Sequence, residues 1–139
     1  PTPTMCLSSS GKKRRMKAKL ILLTMALCLS VSCYKTTECS WYGEELRDKP
    51  MANGKLFDPD LPIIASWDYD FHTVLELHYN GRVVRGVVLD RGPARRLYHK
   101  GRKLDISESL FRKLVGNTDA GVVEVKYRPI NDMEVRIKW

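Results

Sequence analysis

The most regular stretch of the chain lies between residues 74 and 89. Residues 74–79 (VLELHY) alternate, Asn80-Gly81 follows, and 83–89 (VVRGVVL) form a second apolar run. Asn-Gly supplies the two left-handed residues of a tight turn, so this pattern predicts a β-hairpin. Alternation over 122–127 (VVEVKY) and 133–139 (MEVRIKW), with Asn131-Asp132 turning between them, predicts two further strands. Residues 37–42 read as a first strand ended by Gly43, and 62–66 as a short apolar one. Between these two, 44–60 is rich in Gly, Pro, Asn, Asp and Lys and reads as a long loop with a turn at Asn53-Gly54. Helical spacing marks 106–115 (ISESLFRKLV), with Ile106, Leu110, Phe111 and Leu114 on one side and Gly116-Asn117 as the stop. About six short strands and one helix, with no βαβ rhythm, predict a mainly β chain closed into a small barrel.

Charge changes the picture at the N-terminus. The formal net charge of +8 suggests a polyanionic partner, but residues 1–39 hold seven Lys/Arg against one Glu, and 40–139 hold 17 against 15. The excess belongs to a leader, and nucleic acid is not needed to explain it. Lys12, Lys13, Arg14, Arg15, Lys17 and Lys19 precede the apolar run 20–31 (LILLTMALCLSV). That run is shorter than the roughly 20 residues that cross a bilayer, and it reads as an export signal. The expected organisation is a leader over 1–32 with its true start at Met16, a tether over 33–38, and one folded domain over 39–139. Residues 29–33 (LSVSC) resemble a bacterial lipobox, with Ser30 where Leu is usual. On that reading Cys33 carries lipid and anchors the protein to a membrane in the cell envelope. The alternative is ordinary cleavage nearby, with Cys33 free or paired to Cys39. All four cysteines fall within the first 39 residues, so the domain is expected to hold together without an internal disulfide.

Four segments in order carry a family resemblance: Ser40-Trp41-Tyr42-Gly43; Ala52-Asn53-Gly54 with Phe57-Asp58-Pro59; Asp90-Arg91-Gly92-Pro93; and Leu104-Asp105-Ile106-Ser107. Together they resemble the rare lipoprotein A family over residues 39–128. The resemblance implies a six-stranded double-psi β-barrel with one short helix, related to the barrels of expansins and family-45 endoglucanases. It also implies a glycan groove and lytic transglycosylase activity on peptidoglycan strands stripped of peptide stems.

Lytic cleavage needs a proton for the leaving oxygen, then a base that helps the sugar's own 6-hydroxyl close onto the anomeric carbon. One carboxylic acid with a raised pKa can do both. The resemblance places Asp90 and Asp105 at the acidic positions, with Asp90 as acid/base and Asp105 assisting. Without it, Asp90 reads as a turn opener and Asp105 or Ser107 as a helix cap. Where the family has a histidine this chain has Ser66, with His72 six residues later as a candidate substitute, and Met51 replaces the usual Thr. Asn53, Ser66, Trp67, Tyr69, His72 and Arg91 are the expected substrate-binding residues. Trp41 and Tyr42 are further stacking candidates, against a reading as barrel core. Arg95, Arg96, Lys100, Arg102 and Lys103 lie between the two aspartates, in a connection longer than the family's usual one. They read either as contacts to anionic wall polymer or muramic-acid carboxylates, or as a solvated loop. No metal-ligand spacing and no nucleotide loop is seen, so no cofactor is expected. Ser66 in the histidine position favours an alternative function, a non-catalytic expansin-like module that grips cell-wall glycan. A third reading is a secreted interaction domain using the barrel as a scaffold.

Overall fold

The computed structural model describes residues 33–130. The expected leader over 1–32 and the expected turn and strand over 131–139 lie outside the described residues. Six strands close a barrel in the order β1-β5-β2-β4-β3-β6. They are β1 (Lys35–Tyr42), β2 (Ile63–Ser66), β3 (Val74–Tyr79), β4 (Arg82–Asp90), β5 (Arg102–Ser107) and β6 (Val122–Ile130). Two helices accompany them, α1 (Arg95–His99) and α2 (Glu108–Val115). The mainly β barrel read from the alternation is present, with one helix more than expected.

Three local differences have physical causes. Residues 35 and 36, ahead of the strand expected from 37, extend β1 because they pair with β6 as Lys35↔Tyr127 and Thr36↔Lys126. Residues 106 and 107, expected to be helical, belong to β5, whose inward positions Leu104 and Ile106 face Cys39 and Trp41 of β1. A strand with two apolar side chains among Arg102, Lys103 and Asp105 carries little alternation to read, and it is its neighbours that make it a strand. Helix α1 has no buried residue, so it had no apolar stripe to announce it.

Two contacts of the barrel are parallel, β1 with β5 and β2 with β4, and the other four are antiparallel. Parallel partners cannot be joined by a tight turn. The chain therefore interleaves its two halves, and β2 sits between β4 and β5. The inward faces of the strands bring together Cys39, Ile64, Leu75, Leu77, Val88, Leu104, Ile106, Val123, Val125 and Tyr127. Leu110, Phe111 and Leu114 of α2 join the same core. Gly86 is required for that docking: a Cβ there would lie 2.7 Å from Leu110 Cδ2 and 2.8 Å from Ile64 Cδ1. Burial of the Cys39 thiol in this core pushes its pKa up, away from any reactive role at neutral pH.

Outside the barrel, the long loop folds onto β2 through Met51, Phe57 and Ile63, with Tyr42, Leu46 and Leu89 packed against them. Arg47 ties the loop together by reaching Glu44, Asp58 and Asp60. Ser107 occupies the N-cap position of α2 as read above, but its side chain makes no capping bond: it donates its hydroxyl to the Leu61 carbonyl at 2.5 Å and accepts from the Ile63 N–H at 3.2 Å. It pins the loop's end to β5.

On β3, Glu76 is buried between its two cross-strand partners, Arg85 and Arg128. Their guanidinium Nη2 atoms lie 2.9 and 3.1 Å from its oxygens, and His78 Nε2 lies at 3.0 Å. The His78 hydrogen bond and the two guanidinium groups hold the Glu76 carboxyl down at about 2, against the opposing effect of burial. Its contribution to stability is therefore present above the ordinary carboxylate range and is lost as pH falls toward 2. Glu76→Ala leaves two part-exposed cations facing each other and is expected to cost about 2 kcal/mol at pH 7 in urea denaturation, with the deficit shrinking as pH falls from 4.5 toward 2.

Candidate functional site

The central position of β2 builds the site. Ala65 is the register partner of Asp105 on one side; on the other, a bulge after Ile64↔Val88 skips Leu89 and sets Asp90 opposite it. Partners in register point to the same face of a sheet, and adjacent strands lie roughly 4.8 Å apart. The two aspartates thus flank the small Ala65, with Cα atoms about 10 Å apart, and the charges of both reach the Tyr42 hydroxyl. Gly92 keeps the middle low: a Cβ on it would stand 3.1 Å from Ala65 Cβ and 3.9 Å from Asp105 Oδ2. A cis peptide joins Gly92 to Pro93.

Asp90 is held by the backbone. Its Oδ1 accepts from the Ala52 N–H at 2.9 Å and the Arg91 N–H at 2.8 Å. The first of these bonds fastens the Ala52-Asn53-Gly54 turn beside the carboxylate. Asp105 is held less completely. It accepts from the Ser40 N–H on β1, and its Oδ1 is shielded from water with no partner. Burial pushes the Asp105 carboxyl up to about 6, opposed by the Arg102 charge and the Ser40 N–H. A group in that state changes protonation near neutral pH, as a proton donor must.

Tyr42 completes the arrangement. Its ring stacks on Phe57, with centroids 4.5 Å apart. Its hydroxyl is shielded from water and has no hydrogen-bond partner. Burial first, then the charges of Asp90 and Asp105, push that hydroxyl's pKa up, so it stays protonated. Both carboxylates therefore act on one hydroxyl. Asn53 accepts from the Lys55 N–H through Oδ1, while its Nδ2 is shielded and unpaired. Five buried side-chain atoms lack a protein partner among the described residues: Tyr42 Oη, Asn53 Nδ2, Arg102 Nε, Asp105 Oδ1 and Ser109 Oγ. Asp105 and Tyr42 meet at this site, the turn of Asn53 is bonded to it, and the Arg102 charge reaches it. Buried polar atoms without partners cost about 1–3 kcal/mol each, so these are the groups of the site with hydrogen-bonding capacity still unused within the protein.

Other expected substrate contacts are engaged within the protein. Ser66 is fully buried and faces the barrel interior beside Leu104, and its Oγ accepts from the Asp68 N–H at 3.2 Å. On β2 it is Ala65, one residue earlier, that faces the aspartates. Arg91 donates from Nη1 to the carbonyls of Ser66 and Tyr69, both at 2.8 Å, and lies 4.0 Å over the Phe71 ring. It clamps the loop between β2 and β3. Trp67 donates to the Pro93 carbonyl at 2.7 Å and is covered by the Arg95 guanidinium at 3.7 Å. Tyr69 packs edge-on against Tyr127 and accepts from Lys35 Nζ at 3.2 Å. His72 is exposed in a left-handed turn (φ 72°), and its N–H donates to the Val88 carbonyl. Trp41 bonds the Thr118 carbonyl and leans on Phe111, so it serves the core. Among the described residues no three His, Cys, Asp or Glu side chains are grouped as metal ligands.

No protein-family model and no curated protein sequence matches the chain. Solved structures do. The Streptomyces papain inhibitor is 22% identical with a TM-score of 0.58, over 73% of this chain and 98% of that one. Cerato-platanin 3 from M. perniciosa is 12% identical with a TM-score of 0.53, over 74% of this chain and all of that one. A point mutant of the Clavibacter michiganensis expansin, solved in complex with cellohexaose, is 22% identical with a TM-score of 0.54. That match covers 70% of this chain and 52% of the expansin, so this chain spans about half its length. At these identities the similarity speaks for the fold alone. The chain carries a double-psi β-barrel of the kind found in expansins and cerato-platanins.

Proposed function

We propose that this barrel is a cell-wall glycan-binding module of the non-catalytic, expansin-like kind. The observation that carries the reading is the set of unpaired polar atoms around Ala65: the Tyr42 hydroxyl, the Asn53 amide and the free oxygen of Asp105. A pyranose offers both donors and acceptors to such a set, and Asp90 adds a fixed carboxylate. The likeness to an expansin fold solved with cellohexaose supports the same reading. Export of the chain and a lipid on Cys33, which is exposed two residues before β1, would place the module at the cell envelope.

One observation favours a second reading, lytic transglycosylase action of the rare lipoprotein A type. The Asp105 carboxyl, raised to about 6, is equipped to protonate a glycosidic oxygen and then to take a proton back. In that reading Asp105 rather than Asp90 is the acid/base, and Asp90 orients the sugar. No histidine is needed, and Ser66 stays in the core.

The two readings part on one experiment. The purified protein is incubated with insoluble peptidoglycan stripped of stems; retention is measured by sedimentation and soluble products by mass spectrometry. The expected result is retention with no anhydro-muropeptide released, and retention weakened about tenfold by Asp90→Asn or Asp105→Asn. Release of anhydro ends, abolished by Asp105→Asn, would replace the first reading with the second. An outcome with neither retention nor released product would sink both.

A further inference from the structure

Three stretches of chain meet at one end of the barrel. β5 runs parallel to β1 and β2 runs antiparallel to β5, so the start of β1, the end of β2 and the start of β5 lie together. Observed contacts fasten them to one another. Lys35, at the start of β1, donates to the Tyr69 hydroxyl at 3.2 Å and lies 5.3 Å over its ring. Tyr98 of α1 donates to Asp68, and Trp67 donates to the Pro93 carbonyl at 2.7 Å. Thr37 of β1 donates to the Gly101 carbonyl at 3.0 Å and accepts from the Lys103 N–H at 2.9 Å.

The cations of this end stand on its aromatic rings. Arg95 lies 3.7 Å over Trp67 and Lys103 lies 3.5 Å over Tyr98, beside Lys35 over Tyr69. A ring under each cation fixes where its charge stands, so little side-chain freedom is left to lose on binding. Exposed Arg96 and Lys100 extend the charge along α1 and its C-terminal cap. The nearby acids are Asp68, which Tyr98 occupies, and Asp70. The charges are carried by three segments, each cation on its own ring, and do not converge on one point. Such a spread fits a plane of anions better than a single one. Trp and Tyr beside Lys and Arg form the composition that settles at the headgroup level of a bilayer.

Cys33 opens the same end. It is exposed, and one residue, Tyr34, separates it from β1. Tyr34 is itself seated on the barrel wall, edge-on to His78 with centroids 4.9 Å apart, and its ring lies 5.2 Å from the Arg128 guanidinium. A membrane attached at Cys33 therefore meets the barrel here, with no free spacer between them.

Building on the envelope placement proposed above, we propose that this end of the barrel is a bilayer-contact surface that takes anionic phospholipid headgroups. Lys35, Arg95, Arg96, Lys100 and Lys103 pair with the lipid phosphates, and the rings of Trp67, Tyr69 and Tyr98 lie at headgroup depth.

The test uses the full chain with vesicles of phosphatidylcholine alone or with about one-third phosphatidylglycerol, and reads amide hydrogen exchange by mass spectrometry. Exchange in residues 94–103 is expected to slow about fivefold or more on the anionic vesicles and not on the neutral ones. The turn at 79–82, at the opposite end of β4, should keep its rate. The slowing should disappear in about 500 mM salt and in Arg96→Gln/Lys100→Gln, which removes two exposed charges outside the ring contacts. The leader is the same in wild type and variant, so a difference between them reports on this end. Equal exchange on both vesicles overturns this inference and leaves glycan binding standing, because wall retention is measured without lipid. Equal slowing at 79–82 overturns the choice of this end. Slowing by a soluble glycerol phosphate polymer as strong as that by vesicles overturns the choice of a bilayer.

Discussion

Asp105→Asn is expected to gain about 2–3 kcal/mol of folding stability at pH 8 and nothing at pH 3. The folded carboxyl is raised to about 6 from an ordinary 3.8 because burial disfavours its charge. A tenfold change in acidity corresponds to about 1.4 kcal/mol. Below 3.8 the carboxyl is protonated whether the chain is folded or not, and the wild type carries no penalty. As pH rises toward 6 the unfolded chain ionises while the folded one does not, so wild-type stability falls. Above that range the deficit is constant. Asn keeps an oxygen for the Ser40 N–H and has no charge to bury. The measurement is urea denaturation of wild type and variant from pH 3 to 8. A flat difference across that range would mean that Asp105 is not desolvated and would remove the proton-donor reading. Glycan retention should fall in the same variant that gains stability, the exchange expected where a group is kept in an unfavourable state for use.

Phe111→Ala should lose about 3–5 kcal/mol, the largest single effect expected in the chain. Phe111 is fully buried, belongs to the central core and leans on Trp41, with ring centroids 6.5 Å apart. Domains of this size are held by about 5–15 kcal/mol in total, so the variant should sit near the edge of folding. The loss reads as a lower urea midpoint with an unchanged slope. Arg112→Ala, one residue on, removes only an exposed bond to Glu108 and should change stability by less than about 1 kcal/mol. If the two variants cost the same, α2 does not complete the core.

The hairpin of β3 and β4 was readable because its causes are local. Asn80 and Gly81 both take positive φ, 45° and 79°, and the flanking strands turn Leu75, Leu77 and Val88 inward. Helix α2 was readable from the spacing of Leu110, Phe111 and Leu114. The two aspartates were readable only through their motifs, since Asp in a turn and Asp near a helix start are ordinary on their own.

Ser66 shows where such reading stops. All four residues of β2 are buried, so the strand has no polar face to say which side chains point inward. A one-residue difference in facing exchanges Ser66 for Ala65 at the site. Tyr42 is a second case: an aromatic beside a turn suggests stacking on sugar, yet its ring is spent on Phe57 and only its hydroxyl faces the carboxylates. The stacking expected of Trp67 and Tyr69 is likewise limited by Arg95, Tyr127 and Lys35.

Alternation, turn residues and motif spacing, all local properties, determined by themselves that this is a mainly β chain with a hairpin at residue 80, a helix ending at Gly116 and acidic residues at 90 and 105. Tertiary structure alone decided that β2 lies between β4 and β5, and hence that Asp90, Asp105 and Tyr42 share one site. Parallel pairing joins strands distant in sequence, and the desolvation that sets Asp105 apart comes from neighbours no local window contains.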